Sequence, residues 1–319
     1  MNITDFFDLH CDTPYRMYRE KLTLDSPFLD GGLAQLSGFE SATAIFAVWS
    51  CKDLGGQQNF IDFFPTVSNL EREIEKHDQV RFCTAREDLD GDGKVKIILS
   101  VEGADLLCGN IARLYELFSR GVRLLTLMWK GENCAGGGHD TEKGLSPFGK
   151  TLVKECEKLG VVLDLSHASR QTFLDVAQIS DLPFVATHSN AYSVCPHTRN
   201  LTDDEFCEIT RRGGLVGINF YPPFLIQGAG TDDYTPDELV DALCEHIMYF
   251  LSLGGEKSVC LGADRDGIPH IDSYTEAKFI HRLYEALLKN NIEEKIIKDI
   301  FSGNAKRFFA KHLPPKGRI

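Results

Sequence analysis

The chain has 319 residues, with 47 acidic side chains against 34 basic ones, a formal net charge of −13, and 43% hydrophobic and 25% charged residues. That balance is ordinary for a globular protein and excludes a disordered chain, a collagen-like repeat and a disulfide miniprotein. So acidic a surface repels phosphate backbones, so no nucleic-acid partner is expected, whereas cations are drawn to any site with ligands to hold them.

The opening segment MNITDFFDLH lacks a basic stretch followed by an apolar core, so no signal peptide is read there. Its apolar part, 5–9, reads as a first strand leading into His10 and Asp12. A second strand follows at 42–49, a helix at 66–77, a third strand at 96–101 and a helix at 110–119. Then come a fourth strand at 122–128, a helix at 147–159, a fifth strand at 161–165 and a helix at 169–178. The last third holds strands at 183–187, 214–220 and 258–262, with helices at 202–212, 236–253, 273–289 and 293–312. Pro147 and Pro236 open helices, and Gly121, Gly160, Gly213 and Gly254 close them, the usual asymmetry of helix ends.

Most of the strand runs are nearly continuous apolar strings, as in parallel strands buried on both faces. Eight of them alternating with helices predict an α/β fold, a single (β/α)8 TIM barrel spanning 1–319. An open doubly wound sheet is disfavoured because no G-x-G-x-x-G follows an early strand. No apolar run approaches the length of about 18 residues needed to cross a bilayer, so no membrane partner is expected. Ten scattered cysteines without a C-x-x-C pair read as reduced thiols, which suggests a cytoplasmic protein.

In such a barrel the working residues sit at the C-terminal ends of the strands. Five of the eight predicted ends deliver a histidine or carboxylate: His10 with Asp12, Glu102, His167, His188 and Asp264. Each has a bland reading, as a local hydrogen bond, a helix cap or a turn residue. Together they form a nitrogen and oxygen donor set of the kind that zinc and similar divalent ions prefer. Five ligands exceed the needs of one catalytic zinc and suit two ions sharing a carboxylate. The predicted binuclear site places His10, Asp12 and Glu102 on one ion, and Glu102, His167 and His188 on the other. It implies hydrolysis by a metal-bridging hydroxide.

Other motifs are set aside. Asp88-Leu89-Asp90-Gly91-Asp92-Gly93 imitates a calcium loop, but Leu99 stands where the twelfth-position glutamate belongs. Gly136-Gly137-Gly138-His139-Asp140 reads as a mobile active-site loop, since no phosphate-binding Gly-Lys-Ser/Thr follows. No G-x-S-x-G elbow occurs. His77, His197, His246, His270, His281 and His312 are taken as surface or structural residues.

Taken in order, Asp8-Leu9-His10-Cys11-Asp12-Thr13-Pro14, Val101-Glu102-Gly103, Gly144-Leu145-Ser146-Pro147-Phe148-Gly149, Leu163-Asp164-Leu165-Ser166-His167-Ala168-Ser169, Thr187-His188-Ser189-Asn190-Ala191-Tyr192, Arg199-Asn200 and Gly262-Ala263-Asp264-Arg265-Asp266-Gly267 resemble the membrane (renal) dipeptidase family of zinc metallopeptidases. The match runs from about Asp8 to Phe309. It implies an amidohydrolase-type barrel with two Zn2+ ions that cleaves dipeptides, often with a D-residue at the C-terminal position. The resemblance carries the ligand set onto the same five residues, a substrate-binding arginine onto Arg199 and an acid/base aspartate onto Asp264; Asp266 becomes the candidate only if Asp264→Asn keeps near-native activity. Manganese or iron could occupy the same donors. Trp129 falls where the mammalian enzymes have a substrate-contacting histidine, and so is expected to line the substrate site. The expected partner is a small dipeptide, and the family suggests a homodimer. Another amide, a lactone or an ester is the alternative substrate, and a retired scaffold that only binds is a further one.

Overall fold

The computed structural model describes residues 3–91, 93–231, 234–270 and 277–317. Its strands are β1 (Asp5–Cys11), β2 (Ser41–Trp49), β3 (Val80–Phe82), β4 (Val95–Glu102), β5 (Val122–Thr126), β6 (Val162–Asp164), β7 (Val216–Ile218) and β8 (Val259–Leu261). All pairings are parallel, in the order β6-β5-β4-β2-β1-β8-β7, with β3 lying beside the start of β4. The predicted sixth strand appears as two single bridges, Asp164 to Val185 and Ala186 to Val216. These join β6 to β7 and close the circle, giving the expected (β/α)8 barrel.

Alternation along the strands sorts the interior into two levels. Phe7, Leu9, Ile45, Ile98, Leu124, Val162, Val185, Leu215 and Cys260 fill the lower level. Two or four residues further along the same faces stand Trp49, Glu102, Thr126, Asp164, Thr187, Asn219 and Asp264. The barrel is therefore apolar at its base and polar at the strand ends. From below, the helix Asn304–His312 contributes Phe308 and Phe309 to the apolar level, and Phe309 stacks on Phe7 at 5.5 Å. Outside the strands, a larger apolar layer packs beneath the helices.

On β1 the alternation is broken. The pairing with β2 slips between Asp8 and Cys11, an irregularity of the β-bulge kind that turns the following side chain. Leu9 belongs to the interior, and so does His10. Gly217 and Gly262 flank the backbone oxygen of Thr187 so closely that a Cβ would fall 1.9 Å and 1.8 Å from it. Only glycine lets the segments bearing His188, Asn219 and Asp264 approach this way.

Several predicted bounds shift. The first large helix runs over Gly55–Ile74 with Pro65 inside it, longer than 66–77. The stretch 293–312 divides into Glu294–Lys298, a π-helical turn Asp299–Gly303 and Asn304–His312. Helix Thr13–Glu20 and strand β3 carried too few periodic residues to be read from sequence. Residues 273–276 of the helix expected at 273–289 lie outside the described residues, and the helix is seen over Ala277–Lys289. No helix among the described residues is long and apolar enough to cross a membrane.

Candidate metal centre and substrate cleft

The strand ends bring His10, Asp12, Glu102, His167, His188 and Asp264 to one point above the apolar level. Two of them reach it through unusual backbone. His167 and Asp264 have φ of 65° and 61°, the left-handed region that costs a non-glycine residue roughly 1–2 kcal/mol. Strain of this kind persists only where the surroundings over-determine it.

Glu102 is the centre of the cluster. Its Oε2 lies 3.6 Å from His10 Nε2, while its Oε1 lies 2.9 Å from His167 Nε2 and 3.4 Å from His188 Nε2. The two oxygens thus face two different donor groups, as expected of a shared carboxylate. Asp12 Oδ2 is 3.5 Å and Asp264 Oδ1 3.9 Å from His10 Nε2. The Nε2 atoms of His167 and His188 stand 2.9 Å apart.

The donor atoms of His10, Glu102 and His188 lie within 4.8 Å of one another, as do those of His10, Asp12 and Asp264. His10 Nε2 and Asp12 Oδ1 are buried without any hydrogen-bond partner. Buried polar atoms are rarely left so, and unpaired imidazole nitrogen beside carboxylate oxygen fits a divalent cation.

Electrostatics point the same way. Burial raises the Glu102 pKa, reinforced by the Asp12 carboxylate, and burial likewise raises that of Asp264. Burial alone would lower the His10 pKa, but Glu102 and Asp12 outweigh it and lift it well above the usual value. His167 and His188 are pushed well below it by burial, with Arg199 adding to the shift in both. Acids that resist ionising, and a His10 that draws a proton toward them, mark a site short of positive charge, while His167 and His188 are held neutral.

Beneath the centre lies a polar layer that sequence reasoning did not identify. Asp164 is fully buried. It accepts the backbone N–H groups of Ser166 and Thr187, both at 2.9 Å, and the hydroxyls of Thr126 at 2.6 Å and Thr187 at 2.7 Å. Asn219 donates to Asp264 Oδ2 at 3.0 Å, leaving Oδ1 toward His10. Asp266 lines the same cavity as Asp264 but is differently engaged. Its carboxylate already takes Thr13 Oγ1, Arg16 Nη1 and the backbone N–H groups of Asp30 and Gly31, which pins two loops together.

Two cavities flank the cluster, and His167 lines both. One, of about 180 Å³, is walled by Tyr15, Trp49 and Trp129 with Asp12, Glu102 and Asp264 at its floor. Trp49 packs edge-on against both Tyr15 and Trp129. The other, of about 350 Å³, is the more polar of the two and includes His139, Ser189, Thr198 and Arg199. Arg199 is buried, donates to Ser189 Oγ and the His188 carbonyl at 2.9 Å each, and keeps an unpartnered Nε. Burial lowers its pKa to about 10, so it stays cationic at neutral pH.

The loop 136–140 is packed rather than free. A Cβ on Gly137 would meet the Lys143 carbonyl at 2.5 Å, and His139 donates its backbone N–H to the His167 carbonyl at 2.7 Å. His139, Trp49 and Tyr15 were missed because nothing in their local sequence separates a cleft residue from a loop or strand residue. The Asp in the apolar run 161–165 was a usable sign of Asp164.

The sequence profile of the membrane dipeptidase family, peptidase family M19, matches residues 1–312. An uncharacterized protein of Klebsiella pneumoniae is 32% identical over 230 residues, covering 69% of this chain and 84% of that protein. An uncharacterized dipeptidase of Schizosaccharomyces pombe shows the same identity over 230 residues, and the match spans 54% of its length. Among solved structures, a dipeptidase described as a metallopeptidase of family M19 superposes with a TM-score of 0.87 at 26% identity, covering 98% of this chain and 99% of that one. A Rhodobacter sphaeroides metallopeptidase, bound to a phosphinate mimic of L-Ala-D-Ala, gives 0.86 at 25% identity over 97% and 99%.

Proposed function

Because the chain belongs to the membrane dipeptidase family, we propose that it is a metal-dependent dipeptidase acting on L,D- as well as L,L-dipeptides. The observation that carries this is Glu102, whose two oxygens face His10 on one side and His167 with His188 on the other, between a cavity floored by acids and one holding Arg199. The phosphinate dipeptide bound by the Rhodobacter sphaeroides relative supports the L,D reading. His10, Asp12 and Glu102 would hold one ion and Glu102, His167 and His188 a second, with zinc favoured by ligand type. Bound divalent ions would supply an activated water at neutral pH and polarise the scissile carbonyl.

The protein's own groups do the rest. Arg199 grips the free carboxylate with the guanidinium edge left over from Ser189 and His188. Asn219 holds one oxygen of Asp264, so the other takes a proton from the attacking water and returns it to the leaving amine. Trp49 and Trp129 cover the acid-floored cavity, where the amino end of the dipeptide meets negative charge and bulk water is kept out. With Trp129 in place of the family's substrate-contacting histidine, carbonyl polarisation would fall to the bound ions or to another loop residue, and His139 lines the cavity beside Arg199. Residues 1–319 are read as one catalytic domain, cytoplasmic and paired as a homodimer.

Amino-acid release from matched L,L- and L,D-dipeptides, by zinc-loaded and chelator-stripped protein, tests the proposal. Release restored by zinc supports it. Metal-loaded protein inactive on every dipeptide would move the search to other amides, lactones or esters.

A further inference from the structure

We infer that Thr187, anchored by Asp164, is a positioning residue that fixes the tautomer of His188 and steadies His10, so that both present Nε2 to the metal. The inference rests on the metal reading above, but its geometry is independent of substrate.

Thr187 Oγ1 stands 2.7 Å from His188 Nδ1 and 3.4 Å from His10 Nδ1. A hydroxyl has one proton to give and two lone pairs to receive with. That proton goes to Asp164 Oδ2 at 2.7 Å. Asp164 has nothing to give back, since its two oxygens already receive two N–H and two O–H groups. The hydroxyl oxygen can therefore only accept from the imidazoles, which makes Nδ1 of His188 the protonated nitrogen. Nε2 is then left with its lone pair facing Glu102 and His167.

One buried hydroxyl thus serves histidines from two strands that lie far apart in sequence. The same residue's backbone N–H is tied to Asp164 and its carbonyl is wedged between Gly217 and Gly262, which fixes the main chain, while the hydroxyl itself is held by its two 2.7 Å contacts, to Asp164 Oδ2 and His188 Nδ1, both shorter than the 3.4 Å to Ser166 Oγ. Partners of this kind set ring orientation and ligand basicity at metal sites. The competing arrangement would have Thr187 donate to His188 Nδ1, with His188 Nε2–H pointing at Glu102.

The test uses the full chain, with zinc(II) as the probe. Competition against a chromophoric chelator should show zinc held about 10- to 100-fold more weakly by Thr187→Val, with Thr187→Ser restoring most of the loss. In stripped wild-type protein labelled with ¹⁵N-histidine, His188 should carry its proton on Nδ1. An Nε2–H tautomer in the wild type, or equal zinc affinity in folded Thr187→Val, would overturn the inference alone. Wild-type protein that fails to bind zinc would overturn the metal reading and this inference with it. The wild-type spectrum stands even if the valine variant does not fold.

Discussion

Replacing Arg199 by Met removes the cationic edge that faces the polar cavity, and its cost can be worked from the hydrogen bonds already in place. Two donors are committed, to Ser189 Oγ and the His188 carbonyl, and Nε is buried with no partner. A substrate carboxylate can therefore take Nε and one remaining Nη proton. Hydrogen bonds to charged groups contribute about 1.5–3 kcal/mol each, so two give at least about 3 kcal/mol, roughly two orders of magnitude in kcat/KM. Met also deprives Ser189 and His188 of a donor, which lowers activity for reasons unrelated to substrate. A double cycle removes that ambiguity. Wild type and Arg199→Met are each assayed on a dipeptide and on its C-terminal amide, and the collateral damage cancels because it enters both arms of the variant. Capping should cost the wild type about 100-fold and the variant little. If capping harms both proteins equally, Arg199 does not hold the carboxylate, and the polar cavity serves some other end of the substrate.

Asp264→Asn should lower kcat by about 10²- to 10⁴-fold while elemental analysis still finds the metal; near-native turnover would remove Asp264 from the proton path. Phe309→Ala opens the base of the barrel and should cost about 3–5 kcal/mol in urea unfolding, with metal content unchanged; a loss below about 1 kcal/mol would mean the base is not sealed by this helix. His246 is fully buried, accepts the Ala191 N–H on Nδ1 and donates to the Leu225 carbonyl, and burial lowers its pKa from 6.5 to about 4. The unfolded chain binds that proton more readily, so the contribution is whole above pH 6.5 and is lost as pH falls toward 4, by about 3 kcal/mol. Urea midpoints measured across that range should fall in the wild type and flatten in His246→Gln; parallel profiles would refute the assignment.

The order of the barrel strands and the larger helices was legible because each barrel strand is buried on both faces and these helices carry an apolar stripe. The five ligand candidates and Asp264 were legible because a barrel places strand ends together, so a reading of where runs stop also reads the site. What remained hidden has physical causes. The segment 183–187 was found as a strand, but it pairs only through isolated bridges, since it has no long ladder on either side. The slip on β1 that turns His10 inward depends on its pairing with β2, which periodicity along one strand cannot report. Asp164 and Thr187 stood in the sequence only as members of longer motifs, because their significance lies in what converges on them across the barrel. Asp266, two residues beyond the candidate acid, ties neighbouring segments through four donors that the sequence does not reveal.

The stacking of Phe309 beneath Phe7 joins positions about 300 residues apart, and contacts of such separation slow the search for the native state. On the ribosome, the β1 strand emerges about 300 residues before the helix that floors the barrel. Until that helix arrives, the apolar base is an open mouth, the face of a half-made chain most exposed to aggregation and to chaperones. The catalytic rim depends on strands that can be translated and paired before the floor is laid. Productive assembly of this enzyme is therefore decided at the end opposite to its chemistry.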